Sequence, residues 1–398
     1  MPPRILPVIA LAQLGGTSLW FAANAVVPDL ERDWQLDSGT AAAAVTTAVQ
    51  AGFIIGTLVY SLLLIADRFS PRKVYLVSSL MAAAANAAVL LMPAALASMT
   101  GTRFAVGFLL AGIYPVGMKI AASWYREGLG GALGVLIGAL VLGAAVPQGL
   151  RAAGADWPWE QVILTVSGFA AAGGLLLAWQ VPDGPHRVRG TALDPRSLVV
   201  IVRDPTVRAS VFGYFGHMWE LYVVLMLIPA LFALRLGGPS ATVAWLSFAA
   251  IGVGAIGCAG GGWLAGRFGS ARVASVQLLA SGLCCLLAPW MFVAPWWLFV
   301  AWMMVWGTTV SGDSPQFSAL TANNCPPEIV GSVLTFVNCI GFTISIVAIQ
   351  WATWAAGRGP LETVLPWLAV GPAIGLLFMR RLVGTAPRSD RPSARTGR

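Results

Sequence analysis

Twelve apolar runs recur along the chain, near residues 5–28, 41–64, 73–95, 100–122, 130–150, 160–181, 209–234, 241–264, 272–292, 296–318, 330–354 and 362–382. Each is close to the roughly 20 apolar residues that a helix needs to cross a bilayer. Backbone groups at that depth have no water to bond, so such runs close their hydrogen bonds internally as helices. The chain therefore reads as an all-α membrane protein with twelve transmembrane helices. Composition agrees, with 58% hydrophobic and only 10% charged residues among 398. A soluble domain carries about 25% charged residues, so an ordinary soluble enzyme, a disordered chain and a secreted disulfide scaffold are all excluded. The first run lacks a small-residue cleavage site and leads into further spans, so it reads as a helix and not as a removed signal.

The net charge of +8 raises nucleic acid as a partner. The basic residues are scattered between apolar runs and form no stripe, which rejects that partner. They mark topology instead. Of the 24 Lys and Arg, Arg103 and Lys119 fall within spans. Four more (Arg32, Arg151, Arg235, Arg358) fall on outer connections if the N-terminus is inside, which leaves eighteen on the inner side. That asymmetry is a positive-inside signal and puts both termini in the cytoplasm, with the inner membrane as the location. Trp34, Trp157, Trp159, Trp290, Trp296 and Trp297 fall near outer ends and suit an interfacial belt. The five Cys have no zinc or disulfide spacing and read as small packing residues.

The longest polar connection, 182–208, divides the chain into six spans on each side, 1–181 and 209–384, and a basic cytoplasmic tail over 385–398 reads as disordered. The halves repeat. At an offset of 199, Trp20 matches Trp219, Arg68 matches Arg267, Phe69 matches Phe268 and Val74 matches Val273. At an offset of 200, Gly107 matches Gly307, Pro115 matches Pro315 and Gly131 matches Gly331. Two six-span units of the same orientation are parallel repeats about an axis along the membrane normal. The substrate site of such a protein is expected at their interface, near the midplane, with rocking of the halves giving alternating access.

Between spans 2 and 3 stands Ala66-Asp67-Arg68-Phe69-Ser70-Pro71-Arg72-Lys73, and between spans 8 and 9 stands Gly262-Trp263-Leu264-Ala265-Gly266-Arg267-Phe268-Gly269. These resemble the signature loop of the major facilitator superfamily, a glycine, then an Asp-Arg pair, then a basic cluster. The first copy has Leu63 for the leading glycine and Ser70 for the later one; the second has Gly266 for the Asp. The resemblance implies a gate, with Asp67 holding the inward-closed contact beside Arg68, Arg72, Lys73, Lys119 and Arg126, against the start of span 11 at Asn324-Cys325-Pro326-Pro327. Two further segments, Gly216–Tyr222 and Gly312–Ser318, are similar to a bacterial branch labelled nitrate/nitrite or cyanate permease-like. Gly134, Gly138 and Gly143 are too widely spaced for the nitrate signature of span 5, so nitrate is not carried over.

Charges within spans are costly and usually face the bundle interior. Glu220 and His217, three residues apart in span 7, share a helix face. A carboxylate beside an imidazole at depth suits a proton or substrate role; an inward structural pair is the alternative. Asp313 follows Gly312 and precedes Pro315, which removes a backbone hydrogen bond and predicts a broken helix. Broken helices commonly line transporter sites, and Ser314 and Gln316 are weaker candidates in the same run. Arg103 opens span 4, where the superfamily often carries an Arg linked to proton coupling; an outward-snorkelling Arg is the alternative. Asn24, Gln50, Asn86, Gln148, Asn338 and Gln350 read as helix–helix glue.

No Gly-x-x-x-x-Gly-Lys-Ser/Thr run is present, which argues against an ATP-driven pump. Two His exclude a His-rich metal centre, and no cofactor or enzymatic activity is expected. The reading is a monomeric secondary transporter in the lipid bilayer, coupled to protons, for a small organic solute or anion. Proton-driven efflux of lipophilic or cationic compounds and a non-transporting sensor on the same fold remain as alternatives.

Overall fold

The computed structural model describes residues 4–36, 39–125, 129–154, 156–186, 193–326 and 328–383. The described residues are helical, without strands. Ten helical segments are long and apolar enough to cross a membrane: Ala41–Leu62, Pro71–Leu91, Leu96–Trp124, Gly130–Ala153, Trp159–Gln180, Pro205–Leu236, Ala241–Phe268, Ser270–Met291, Val330–Ala356 and Leu361–Val383. These are spans 2 to 9, 11 and 12, each within a few residues of its apolar run.

Spans 1 and 10 complete the twelve as broken helices. Span 1 runs as a helix over Ile5–Thr17, continues in turns, and resumes over Val27–Asp33. Span 10 is helical over Trp296–Gly312 and Ser314–Asn324, with Asp313 between. The break falls where Gly312 and Pro315 predict it: Pro315 offers no N–H and sits in the first turn of the second segment, where none is needed. Span 4 bends at the equivalent place, between Leu96–Leu110 and Tyr114–Trp124, with Pro115 in the first turn.

Asn324, assigned with the gate to the start of span 11, instead ends span 10; the helix of span 11 begins at Val330, where its apolar run begins. Cys325 is extended, the conformation favoured before a proline. Pro326 then stops the preceding helix instead of opening the next.

Both halves use one neighbour pattern. Span 1 packs on spans 5 and 6, span 2 on span 4, and span 3 on span 6; span 7 packs on spans 11 and 12, span 8 on span 10, and span 9 on span 12. Glycines permit the closest approaches. A Cβ at Gly107 would collide with the Val49 carbonyl, and one at Gly307 with the Ala250 carbonyl, the same contact in each repeat. In span 5, Gly143 lies against Leu14 and Thr17, whereas Gly134 has open space.

The halves meet through spans 2 and 11 and through spans 5 and 8. The polar residues expected as glue do bridge spans. Gln50 donates to Ser345 at 3.2 Å and Gln350 to Thr47 at 2.8 Å, both across the halves. Asn24 donates to Thr46, and Tyr214 to Asn338. Thr47 and Gln350 lie toward the membrane side opposite the 182–208 connection, here the far side; the side of that connection is the near side. Trp157, Trp290, Trp296 and Trp297 are exposed at far-side ends, but Trp159 is buried, edge-on to Trp34 at 5.6 Å.

At the near side the connection clasps both halves. Trp124 Nε1 donates to the Pro182 carbonyl and the His186 N–H to the Ser123 carbonyl. A short helix, Arg196–Arg203, follows, and the Asp194 N–H donates to Ser332. Asp204 then caps span 7, accepting from the N–H groups of Thr206 and Val207.

Candidate functional site

A cleft between the halves, part of it open to solvent, encloses about 820 Å³ with that open space included. The broken spans build much of it. Turns interrupting span 1 present Trp20 and Phe21, just beyond Thr17; span 10 presents Ser311, Ser314 and Ser318 on either side of its break. Span 7 supplies Tyr214, Met218 and Tyr222, and span 11 supplies Asn338 and Phe342. The wall comes from span middles and from their near-side parts. Toward the far side it ends on rings from both halves: Trp20 stacks on Tyr222 at 5.7 Å and lies 5.1 Å from Phe53, which is 4.9 Å from Phe342. Among the described residues, no charged side chain lines this cavity.

The titratable groups sit behind the wall, inside the second half. His217 Nδ1 lies 2.8 Å from Asp313 Oδ1, and both side chains are fully buried. The break in span 10 makes this contact: it frees Asp313 from a regular helical position and turns it to span 7, with no capping bond of its own. Glu220 is also fully buried, and its Oε2 accepts from Cys285 Sγ of span 9 at 3.2 Å. His217 and Glu220 share a helix face as expected, but each finds its partner on another span. His217 Nε2, Asp313 Oδ2 and Glu220 Oε1 are buried without a hydrogen-bond partner. Ser281 lies beside the Glu220 carboxyl, and the backbone N–H groups of Asp313 and Ser314 lie beside the Asp313 carboxylate. Gln316 is buried on the same segment as Ser314 and Ser318 but stays out of the wall.

Arg103 does not snorkel outward. It is 1% exposed, donates to Asn86 Oδ1 at 2.7 Å, and donates to the Leu19 and Trp20 carbonyls. Those carbonyls belong to the interrupted part of span 1, so the guanidinium supplies the donors that the helix break removes. Asn86 in turn donates to Ser167 and the Ile163 carbonyl, tying span 3 to span 6.

At the near-side end Lys119 Nζ contacts Asp67 Oδ1, joining span 4 to the loop after span 2. Their side chains are 26% and 15% exposed, which places the pair between surface and interior. The loop turns at Leu64, whose φ of 52° is left-handed and strained for a branched residue. Ser70 donates to Asp183, so the same loop holds the central connection. Arg68 and Lys73 are exposed and Arg72 is half-buried. Arg126 lies outside the described residues.

Sequence reasoning missed most of the wall. Ser311 and Ser314 stood in a visible polar run, but Thr17, Tyr114, Tyr214 and Tyr222 carry no signal separating a wall residue from a core residue. Cys285, taken as a packing residue, proves to donate to Glu220.

No curated protein matches this sequence. Solved structures do. The human organic anion transporter MFSD10 (TETRAN) aligns with a TM-score of 0.72 at 15% identity, over 95% of this chain and 100% of that one. The proton:xylose symporter XylE, bound to 6-bromo-6-deoxy-D-glucose, aligns at 0.76 and 13% identity, over 96% of this chain and 97% of that one. At these identities the likeness is one of fold. The profile of the Major Facilitator Superfamily matches residues 9–350. With twelve spans in two like-oriented halves around a shared cavity, and with that match across both halves, the chain belongs to the major facilitator superfamily and is a membrane transporter, not an enzyme.

Proposed function

We propose that the protein moves a small organic solute across the cytoplasmic membrane by alternating access, with proton movement as the energy source. The cavity between the halves carries this reading. Both halves line it, and the bonds that join spans 2 and 11 cross on its far side. Rocking of 1–181 against 209–384, with 182–208 as the cytoplasmic tether, would close the near side and part the far-side rings. Both termini, including the 385–398 tail, are assigned to the cytoplasm from the distribution of Lys and Arg, and the transporter is read as a monomer. The Asp67–Lys119 pair, with Arg68, Arg72, Lys73 and Arg126 around it, is assigned to the near-side gate. His217, Asp313 and Glu220 are assigned to the proton.

Two measurements test the reading. Spin labels at Gly130→Cys and Asn323→Cys, near-side positions on opposite halves, should report two distance populations whose ratio changes with pH or solute. One unchanging distance would overturn alternating access. In proteoliposomes, Glu220→Gln should reduce solute-driven proton uptake to the level of empty vesicles while the protein stays folded. Normal proton flux in that variant would remove Glu220 from the coupling.

Arg103 and His217, the basic side chains within the spans that could meet an anionic substrate, are both absent from the wall, and nothing in the cavity favours the nitrate/nitrite or cyanate-like assignment. Export of lipophilic compounds by the same cycle is a second reading, favoured by the aromatic and aliphatic character of that wall.

A further inference from the structure

We propose that the central cavity takes an uncharged solute, with an apolar or ring-shaped face on one side and hydrogen-bonding groups on the other. This deepens the transporter reading above and rests on it.

Three observations carry the inference. The first is the absence of charge from the described wall. An ion leaving water for a site with no countercharge loses hydration that hydroxyls and rings replace only in part. The carboxylates and the guanidinium that could supply a countercharge lie outside the wall: Arg103 on carbonyls of span 1, Asp313 against His217, Glu220 beside Cys285.

The second is the division of the wall. Trp20, Tyr222 and Phe342 form an aromatic face, and their rings already pack on one another at 5.3 to 5.7 Å. Opposite chemistry comes from one strip of span 10, Ser311, Ser314 and Ser318, with Asn338 beside it. Aromatic faces and hydroxyl groups together bind molecules that are apolar on one side and polar on the other. Cation–π attraction alone is a weak substitute for a countercharge, and the face of Trp20 is already occupied by Tyr222.

The third is unmet hydrogen bonding in the wall itself. Trp20 and Ser311 are 6% and 2% exposed, and the indole N–H and the Ser311 hydroxyl have no partner. An indole nitrogen only donates, so it calls for an acceptor; the hydroxyl can do either. Both atoms are closed off in this structure, and a neutral solute with a carbonyl or hydroxyl oxygen matches them without introducing a charge once the wall opens.

The test uses three probes of one ring and one size: benzamide, benzoate and benzylammonium. Purified full-length Ser318→Cys protein is labelled with N-ethylmaleimide; the five native Cys are buried and outside the wall. Benzamide should slow labelling of the introduced thiol in a saturable way, and the two ions should not. Protection by benzoate or benzylammonium in preference to benzamide overturns the proposal, and so does a lack of protection by all three up to their solubility limits. Ser311→Asp should then add protection by benzylammonium, because it puts a countercharge in the wall. If selectivity is unchanged in that variant while circular dichroism shows it folded, the wall does not set the class. The transporter reading fails separately: saturable protection by benzamide together with one fixed Gly130–Asn323 distance would keep the binding site and discard alternating access.

Discussion

Spans 4 and 10 are the same element built twice. Each bends at the same repeat position, each places a proline in the first turn after the bend, and each packs a glycine, Gly107 or Gly307, on a carbonyl of its neighbour. At the bend they part. Ile113 is fully buried in the first half, where the second half holds Asp313, which contacts His217. By the same offsets Ser18 stands where His217 does, and Phe21 where Glu220 does. The first half keeps its buried Arg103 fully committed to protein acceptors; in the second, His217 Nε2 is buried without a protein partner. The scaffold is duplicated and the titratable chemistry is not.

That contrast can be broken by mutation. The largest effect is expected from His217→Ala, which leaves Asp313 buried without its partner and should cost about 3–5 kcal/mol in thermal unfolding of the purified protein. The pair of changes His217→Ser and Asp313→Ile writes the first half's residues into the second. It should regain most of that stability and abolish proton coupling. A double variant as unstable as the single one would show that the two bends are not equivalent. Next is Arg103→Met, which borrows Met303 from the repeat. It leaves the Leu19 and Trp20 carbonyls without a charged donor and should cost about 1–3 kcal/mol for each group left unpaired. Because it acts by bracing, the pH dependence of transport in proteoliposomes should be unchanged; a shifted profile would move Arg103 into the coupling machinery. The smallest effect is at the gate. Asp67→Asn removes a partly exposed ion pair worth about 1 kcal/mol, enough to shift the two Gly130–Asn323 distance populations several-fold without unfolding the protein.

The spans were legible because a hydrocarbon-crossing helix needs a fixed length of apolar chain, and these runs have it. The bend of span 10 was legible from Gly312 and Pro315, whose effect on the backbone is local. Span 11 starts where its apolar run does, but Asn324, assigned to its start, ends span 10 instead, because Asn324, Pro326 and Pro327 fit either the end of one helix or the start of the next. The polar glue of Asn86 and Gln350 was legible as a class but not as pairs.

The site divides along the same line. The amino-acid sequence by itself determined the number of spans, the duplication, the break of span 10 and the short roster of ionisable groups within the spans, since apolar length, glycine, proline and charge act within a few residues of themselves. Tertiary structure decided the partners. Asp313 meets His217 from 96 positions away, Arg103 turns inward to span 1, and a wall free of charge forms from rings and hydroxyls of both halves. Those outcomes depend on which faces meet when separate spans pack, and helical periodicity gives a face for each residue but not the neighbour it will find there.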